Sequence, residues 1–511
     1  MPNGKMDMKN LPIPEVYRSE GDAAKSAAEK AFCEIFSELL NVDNVLATES
    51  FFDLGGTSLL VTQVVIEAGK KGYSIVFGDV FANPTPRALA SLFEEAAVEE
   101  VQEHDSEIED YDYSEIHEFL KRNTIEAFQS GERHTLGNVL MTGATGYLGS
   151  HILYELLEKT DRRIYCLLRS SADQSAENRL SSLLFYYFDN DYRDLMGSRL
   201  FVYEGDVTNR ASFDQLAGEK IDTVINCAAI VKHFSYDTII EDVNVGGAKN
   251  VIDFCLEQGA VMIQTSTMSV IEIGYKDTTP EGFSPSEQTL YCGQDLTNQY
   301  VRSKFLAERA ILEAVLHKGL KAKIMRYGNL SARYKDGEFQ VNFDSNAAMG
   351  QLRAYAILGC APYDQAEDLM EFSPISSVAD ATVRLCTTPE DCVVFNVITD
   401  QYISKIHIFH EMEAMGYPVK MMERDDYEKA FAAAGSDPKK ASLLTSLMAY
   451  DVGKGERPRV MYSMNRELTL QILYRLGFFW PTTSWDYLRR FLQVLSGLGY
   501  FLEDFDEGTQ N

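Results

Sequence analysis

Thr142-Gly-Ala-Thr-Gly-Tyr-Leu-Gly149 decides the fold, because it joins an apolar strand pattern at Val139–Thr142 to the apolar pattern of a helix. The first glycine, Gly143, permits a tight turn, and Gly146 lets the backbone approach a pyrophosphate. The third, Gly149, allows the helix to pack closely on the strand. The stretch therefore predicts the first strand, turn and helix of a dinucleotide-binding domain.

Apolar strands continue to alternate with helical stretches along the chain after this turn. The predicted strands are Val139–Thr142, Ile164–Leu168, Leu200–Tyr203, Thr223–Cys227, Val261–Thr265 and Lys323–Arg326. This alternation is typical of a doubly wound parallel sheet. Because it weakens beyond about Tyr334, we predict an α/β protein whose Rossmann domain carries a smaller, mainly helical C-terminal subdomain.

A cation stands at the end of the second predicted strand, in Cys166-Leu-Leu-Arg169. An NAD-binding fold usually offers an acidic residue at this place to the ribose 2′-hydroxyl. Arg169 suits a 2′-phosphate instead, with Arg179 as an assisting cation, so the sequence favours NADPH. The alternative is that Arg169 is a surface residue that only ends the strand.

Tyr300 and Lys304 are four residues apart, which places both side chains on one face of a helix. A lysine ammonium near a phenol lowers the pKa of the phenol, and the same lysine can hold a nicotinamide ribose. Upstream, Gln264-Thr-Ser-Thr-Met-Ser269 ends a buried strand and is expected to present a hydroxyl beside that phenol. The tyrosine and lysine spacing alone also fits a purely structural pair.

A second motif, Phe51-Phe-Asp-Leu-Gly-Gly-Thr-Ser-Leu-Leu60, precedes all of this. Two glycines permit a sharp turn, and the apolar residues that follow fit one face of a helix starting at Ser58. Ser58 is therefore expected to be exposed at a helix N-terminus, where a covalently attached phosphate is favoured. The alternative is an ordinary serine that caps the helix.

Two family resemblances rest on these motifs. The string TGxTGxLG resembles the extended short-chain dehydrogenases, and Asp53, Leu54, Gly55, Gly56 and Ser58 match the phosphopantetheine attachment motif of acyl and peptidyl carrier proteins. The carrier motif precedes the dehydrogenase motif in the chain, and together they resemble a carrier domain followed by a terminal thioester reductase domain. Such didomains occur in nonribosomal peptide synthetases, carboxylic acid reductases and α-aminoadipate reductases. The resemblance covers nearly the whole chain.

The resemblance implies NADPH and a covalent 4′-phosphopantetheine on Ser58 as cofactors. Matching to the family makes Thr267 the third catalytic residue beside Tyr300 and Lys304, with Ser266 as the nearest rival. The implied cofactor-binding residues are Gly143, Thr145, Gly146, Tyr147, Leu148, Gly149, Arg169, Arg179, Asp206, Val207, Ala228, Ala229, Tyr300 and Lys304. One departure is Arg326-Tyr-Gly-Asn329, where many relatives have proline after the arginine, so contacts on the nicotinamide side stay open.

The domain organisation follows from the same motifs and from charge. Residues 1–20 resemble the end of an adenylation domain, whose lysine, here Lys5, has no catalytic role without the rest of that domain. Residues 21–98 are predicted to form the helical-bundle carrier domain, and residues 99–118 an acidic linker. Residues 119–511 are predicted to form the reductase domain, with a Rossmann core at about 136–335 and a C-terminal substrate subdomain at about 336–511.

The acidic region before the second domain carries negatively charged residues and no positively charged ones. From Glu94 to Glu118 it holds twelve acidic residues and no lysine or arginine. Such a block usually stays solvated and extended. Tyr111, Tyr113 and Ile116 are the residues in it that could dock on a neighbouring domain.

The overall composition limits the partners. A net charge of −30 argues against nucleic acid and anionic membranes as partners, because both attract clustered lysine and arginine.

The eight cysteines lack metal-ligand spacing and indicate neither a zinc site nor a disulfide framework. No signal peptide is evident, so we predict a cytoplasmic protein. The resemblance implies upstream adenylation and condensation domains, a phosphopantetheinyl transferase and a carrier-tethered substrate as partners.

The implied reaction is reductive release of an acyl or peptidyl thioester, giving an aldehyde or, after a second hydride, an alcohol. Thr267 and Tyr300 would hydrogen-bond the oxygen as it gains charge. A non-redox Dieckmann-type cyclase is the main alternative, although it resembles reductases that have lost the catalytic tyrosine. A nucleotide-sugar epimerase or dehydratase, and a tethering scaffold without catalysis, are the other two.

Overall fold

The computed structural model describes residues 22–73, 75, 77–93, 107–171, 174–231, 238–342, 346–435, 440, 444, 446–447 and 459–502. The chain divides into two compact units, one of Met1–Ser106 with Gly435–Ala449 and the other of Glu107–Ala434 with Tyr450–Asn511. The predicted adenylation remnant at residues 1–20 and the part of the predicted linker up to residue 106 lie outside the described residues.

The first unit contains a small helical bundle. Its helices are α1 (Ala27–Leu40), α2 (Ser58–Lys70), α3 (Phe77–Ala82) and α4 (Pro86–Ser91). Phe32, Phe36 and Phe51 are fully buried among them and form its aromatic core. Because α1 begins with a capping box between Ser26 and Glu29, the backbone N–H groups of these two residues are satisfied by side chains.

The second unit is built on a seven-stranded, fully parallel sheet. Its strands are β1 (Val139–Thr142), β2 (Ile164–Leu168), β3 (Leu200–Glu204), β4 (Thr223–Asn226), β5 (Val261–Thr267), β7 (Lys321–Tyr327) and β12 (Val394–Val397). The sheet order is β12-β7-β5-β4-β1-β2-β3. The chain runs outward from β1 on one side and from β4 on the other, so the strand order reverses between these two strands. A ligand crevice is expected at such a reversal.

The predicted α/β fold is confirmed, and the six predicted strands are all present. The seventh strand, β12, was not predicted: it pairs with β7 from Val394↔Ile324 to Val397↔Tyr327. The predicted end of the Rossmann core at about residue 335 is therefore wrong. The helix Ile375–Leu385 also belongs to this core, since its apolar residues are buried with those of β1 and the helix that follows it.

The remaining elements are short strands and helices. Two-stranded ladders pair β6 (Ile273–Tyr275) with β15 (Arg459–Met461), β8 (Leu330–Ser331) with β11 (Ser373–Pro374), β9 (Cys360–Pro362) with β14 (Lys420–Met422), and β10 (Leu369–Glu371) with β13 (Tyr402–Ser404). The α-helices after Glu107 are Ser114–Leu120, Ile125–Ser130, Tyr147–Lys159, Ala176–Phe188, Ile239–Glu241, Gly247–Gln258, Gln299–Lys318, Ala347–Leu358, Ile375–Leu385, Lys405–Ala414, Arg424–Gly435, Glu467–Arg475 and Trp485–Gly497. Among the helices in the described ranges, none has the length and apolar character needed to cross a bilayer.

Residues 107–118 differ from the extended linker that their charge predicts. They contain the start of the helix Ser114–Leu120, and Ile108, Tyr113 and Ile116 are buried in the core of the second unit. The aromatic ring of Tyr113 stacks on Tyr291 with a centroid distance of 4.6 Å. The free energy gained by burying these few apolar side chains thus exceeds the tendency of the charged stretch to stay in solvent, because each side chain removes a large apolar surface from water.

We expect Ile116→Ala to destabilise the second unit by about 2–4 kcal/mol, because it deletes a fully enclosed aliphatic side chain. Differential scanning calorimetry of the full chain measures the effect as a lower unfolding temperature of the larger transition. Glu118→Ala, a change on the exposed side of the same helix, is the matched control. An unchanged transition in Ile116→Ala would show that residues 107–118 do not belong to this core.

Candidate active site

The turn between β1 and the helix Tyr147–Lys159 requires its glycines. Gly143 has a φ of 67°, and a Cβ there would lie 2.5 Å from the backbone nitrogen of Ala228. A Cβ on Gly149 would lie 2.2 Å from the carbonyl oxygen of Gly143. The helix is capped by Gly146 without a side-chain hydrogen bond, so its first N–H groups stay open to an anion.

A buried polar network lies under this turn and connects three strands. Thr142 Oγ1 donates to Asn226 Oδ1 at 2.5 Å, and Asn226 Nδ2 donates to Gln264 Oε1 at 2.8 Å. Gln264 Nε2 then donates to the carbonyl oxygen of Thr265 at 2.9 Å. These bonds join the carboxyl ends of β1 and β4 to the middle of β5 under the crevice, and they hold the three strands in register.

Arg169, which is predicted to bind the 2′-phosphate, has a solvent-accessible side chain. The side chain of Arg169 is 69% exposed, and its Nη1 lies 3.8 Å from Asp206 Oδ2, which is longer than a hydrogen bond. Arg179 Nη1 donates to the carbonyl oxygen of Arg169 at 3.3 Å. The Arg179 side chain therefore lies against the backbone where β2 ends, and both arginines line the crevice there, which suits a 2′-phosphate.

Tyr300, Lys304 and Thr267 come together at the opposite end of the crevice. Tyr300 lies in the first turn of the helix Gln299–Lys318 and is hydrogen-bonded to the Thr267 side chain at the end of β5. Lys304 Nζ donates to the carbonyl oxygen of Thr265 at 3.0 Å and lies 6.0 Å from the centre of the Tyr300 ring. A hydroxyl, a phenol and an ammonium thus share one pocket.

The expected effect of Lys304 on the phenol is wrong for this structure. Burial raises the pKa of Tyr300 to about 12, and the hydrogen bond with Thr267 opposes that rise only in part. Burial also lowers the pKa of Lys304 to about 8. The phenol therefore keeps its proton at neutral pH, which suits a hydrogen-bond and proton donor.

The geometry separates Thr267 from its rival, Ser266. Ser266 Oγ donates to Glu308 Oε1 at 2.5 Å, inside a fully buried ion pair between Glu308 and Arg326. The Thr267 side chain instead contacts Tyr300 and accepts a hydrogen bond from the backbone N–H of Ser269 at 3.2 Å. Thr267 is therefore the better candidate for contact with a reacting oxygen.

All the predicted catalytic and cofactor-binding residues of this unit line one crevice of about 700 Å³ at the reversal of strand order. They are Gly143, Thr145, Gly146, Tyr147, Leu148, Gly149, Arg169, Arg179, Asp206, Val207, Ala228, Ala229, Thr267, Tyr300 and Lys304.

Asn244 supports the crevice and was not predicted. It lies in a π-helical segment, Asp242–Gly246, and is buried. Its Oδ1 accepts from the backbone N–H of Ile230 at 2.8 Å, and its Nδ2 donates to Ser303 Oγ at 2.9 Å. The adjacent Gly246-Gly247 pair, unusual inside a helix, was the one sequence signal of this irregular segment.

The Arg326-Tyr-Gly-Asn329 segment places Gly328 and Asn329 in the crevice wall and buries Arg326 completely. Glu371 Oε2 accepts from the backbone N–H of Asn329 at 2.5 Å, and a Cβ on Gly328 would lie 2.3 Å from the same oxygen. Burial raises the pKa of Glu371 to about 7. This carboxyl group, whose role no motif indicated, holds the turn after β7.

The serine of the other motif begins α2, as predicted. The N-cap is Thr57, whose Oγ1 accepts from the backbone N–H of Leu60 at 3.4 Å, so Ser58 is not needed as a cap. Gly55 has a φ of 97°, and a Cβ on Gly56 would lie 2.3 Å from the Phe51 ring. The turn before Ser58 therefore requires both glycines.

Comparisons with known proteins agree with this geometry. Residues 30–93 match the family described as "Phosphopantetheine attachment site", and residues 141–382 match the family described as "Male sterility protein". The structure of a thiolation-reductase di-domain from an archaeal non-ribosomal peptide synthetase is 38% identical, with a TM-score of 0.84. It covers 94% of this chain and 100% of that chain. This chain belongs to the thiolation-reductase di-domains.

Other relatives are more distant. The terminal R domain of the myxalamid PKS-NRPS pathway is 25% identical, covers 76% of this chain and 98% of its own, and has a TM-score of 0.62. A linear gramicidin synthase of Brevibacillus parabrevis is 25% identical over 92% of this chain. The L-2-aminoadipate reductase of Candida glabrata is 23% identical over 88% of this chain. The di-domain spans only 9% and 35% of the lengths of these two proteins.

These comparisons confirm the predicted nicotinamide-dependent oxidoreductase and the predicted carrier domain. The cofactors that follow are a nicotinamide dinucleotide, typically NADPH, and 4′-phosphopantetheine. The roles of individual residues in the di-domain stay predictions.

We expect Arg169→Ala to weaken NADPH binding by about tenfold or more while it leaves NADH binding almost unchanged, because one charge-assisted bond contributes about 1.5–3 kcal/mol. Isothermal titration calorimetry with both cofactors measures the difference. Arg162→Ala, an exposed arginine outside the crevice, is the matched control. Equal losses for NADPH and NADH would show that Arg169 does not contact the 2′-phosphate.

Proposed function

We propose that this di-domain releases a carrier-bound acyl or peptidyl chain by reducing its thioester to an aldehyde with NADPH. The observation that carries the proposal is the meeting of Thr267, Tyr300 and Lys304 in the crevice of a chain that also has the Ser58 carrier motif. A tyrosine that keeps its proton beside a hydroxyl is what reduction of a carbonyl requires, because both groups can donate to the oxygen.

The residues of the crevice fit a phosphorylated dinucleotide. The open helix N-terminus at Gly146 suits the pyrophosphate, and the cations Arg169 and Arg179, which both line the crevice, suit the 2′-phosphate. Lys304 would hold the nicotinamide ribose. When bound, NADPH supplies the hydride.

The protein's own residues stabilise the charge that develops on the thioester oxygen. Thr267 and Tyr300 donate hydrogen bonds to that oxygen, and Tyr300 supplies the proton. One hydride and one proton convert the thioester into an aldehyde and a free thiol, so the thiol stays on the carrier. A second hydride and proton would give an alcohol.

The partners follow from Ser58. A phosphopantetheinyl transferase attaches the pantetheine to Ser58, and adenylation and condensation domains upstream load the acyl group. The predicted carrier boundaries, 21–98, stay a proposal. For the reductase we propose residues 107–511 in place of the predicted 119–511, because residues 107–118 pack in the core of the second unit. A cytoplasmic location is proposed because all eight cysteines are free thiols, as in a reducing compartment.

We expect Tyr300→Phe to oxidise NADPH at least about a hundredfold more slowly with a pantetheine thioester, because positioned proton donors contribute about 10²–10⁴-fold. NADPH binding should stay almost normal. NADPH absorbance and mass spectrometry of the released product measure the reaction.

Lys304→Ala serves as the comparison, since it should lose both turnover and some NADPH affinity. An unchanged rate in Tyr300→Phe would remove this phenol from the mechanism. A cyclised product formed by the unmodified chain without NADPH consumption would replace the reductase proposal with the cyclase.

We expect a phosphopantetheinyl transferase to add one pantetheine mass to the chain and Ser58→Ala to prevent the addition. Intact-mass spectrometry measures both. Ser50→Ala, a serine just before the same motif, is the control and should be modified fully. Full modification of the Ser58→Ala variant would place the attachment elsewhere.

A further inference from the structure

Glu308 continues the catalytic face of the helix Gln299–Lys318. Tyr300, Lys304 and Glu308 follow one another at intervals of four residues, so their side chains lie along one face. Tyr300 and Lys304 reach the crevice, whereas Glu308 is fully buried behind them. A fully buried carboxylate needs strong partners to remain in place.

Its partners are Arg326 on β7 and Ser266 on β5. Glu308 Oε1 accepts from Arg326 Nε at 3.0 Å and from Ser266 Oγ at 2.5 Å. Glu308 Oε2 accepts from Arg326 Nε at 3.1 Å and from Nη2 at 2.6 Å. One edge of the guanidinium, formed by Nε and Nη2, thus meets both carboxylate oxygens, a geometry that fixes direction as well as distance.

The same arginine also holds the loop that leads into the helix. Arg326 Nη2 donates to the carbonyl oxygen of Thr289 at 2.9 Å, and Nη1 to that of Ser286 at 3.5 Å. Between these two residues, the buried Glu287 accepts from the backbone N–H of Thr469 at 2.9 Å. The ion pair therefore connects β5, β7, the catalytic helix and its preceding loop.

Stability is a weak reason for this arrangement. Replacing a buried ion pair by apolar residues of similar volume is often neutral or stabilising, because desolvation offsets most of the attraction. What the pair provides is orientation: Ser266 immediately precedes Thr267, and consecutive residues of a strand direct their side chains differently. Holding Ser266 against Glu308 leaves Thr267 free to face Tyr300.

We propose that Glu308 and Arg326 form a positioning pair, which acts through Ser266 to hold the Thr267 hydroxyl against the Tyr300 phenol. This inference rests on the proposed reductase function. The pair does not contact the crevice contents itself; it fixes the strand end and the helix from which the reacting side chains project.

Electrostatics adds a second effect of the same carboxylate. Cys227 and Glu308 both raise the pKa of Lys304, against the stronger effect of burial. Tyr300, the other titratable group on this face, stays neutral around pH 8 because its own pKa is about 12. Removing the carboxylate should therefore lower the pKa of Lys304, and the basic limb of the pH–rate profile should move to lower pH.

Ser266→Ala is the first test, because it removes one hydroxyl and leaves the ion pair intact. We expect kcat to fall by about 10- to 100-fold, as misplacement of reacting groups by an ångström or less commonly causes. The KM for NADPH and the unfolding temperature should hardly change. Ser266→Thr, which keeps the hydroxyl, should recover most of the rate.

The double variant Glu308→Leu with Arg326→Met separates positioning from stability. We expect it to fold, with a low kcat. Lys323→Met is the matched control: Lys323 is buried on the same strand, and its Nζ donates to the carbonyl oxygens of Pro389 and Cys392, away from the crevice. It should alter stability without changing kcat.

An unchanged kcat in Ser266→Ala, or a normal kcat in the double variant, would overturn the positioning role.

A measurement that does not require turnover keeps this test separate from the reductase proposal. The ¹³C NMR shift of the Tyr300 ζ-carbon, assigned by its loss in Tyr300→Phe, should move in Ser266→Ala and stay in place in Lys323→Met. If the unmodified chain does not oxidise NADPH but this shift moves, the reductase proposal fails and the positioning role stands; no movement overturns the positioning role.

Discussion

The approach of the β1 turn to the end of β4 is the constraint on which the rest of the site depends. At Gly143 the backbone passes so close to Cys227 and Ala228 that a single added carbon would overlap them. Only glycine combines this clearance with a positive φ at low cost. The resulting turn directs the helix N-terminus into the crevice, and the network from Thr142 to Gln264 holds the neighbouring strand ends under it.

Burial then sets the chemistry at the other end of the crevice. The same loss of water raises the pKa of Tyr300 and lowers that of Lys304, since each loses its charged form to desolvation. The phenol remains a donor, and the ammonium titrates near neutral pH. The motif alone leads one to expect that the lysine acidifies the tyrosine; in this fold desolvation is the larger effect, and it favours proton donation to an oxyanion over formation of a phenolate.

The sequence allowed the turn chemistry and the strands next to it to be predicted well. β1 and β2 have the predicted bounds, because uniformly apolar runs end there at glycine or charge. β12 was missed because it is short, lies far along the chain and follows a helix in a region of weaker alternation. The extended linker predicted for residues 107–118 was wrong because net charge describes only their average. Tyr111, Tyr113 and Ile116, the residues that could dock, pack in the core together with Ile108 and decide where the segment lies.

The candidate site shows the same division between local and tertiary information. Side chains that face a ligand are recognised by spacing, since tyrosine and lysine must share a helix face and glycines must precede a helix. Asn244, Glu371 and Arg326 carry no such spacing, because each acts through a contact with a segment distant in sequence. Glu308 shares the helix face of Tyr300 and Lys304, but its spacing does not indicate its buried partner Arg326. What identifies them is a structural fact: each is a polar group withdrawn from water and satisfied only by the backbone or side chains that form the crevice. A buried polar group without a hydrogen-bond partner would destabilise the fold. Its partners must therefore occupy fixed positions, and this fixes the strand ends and the helix that carry the reacting side chains.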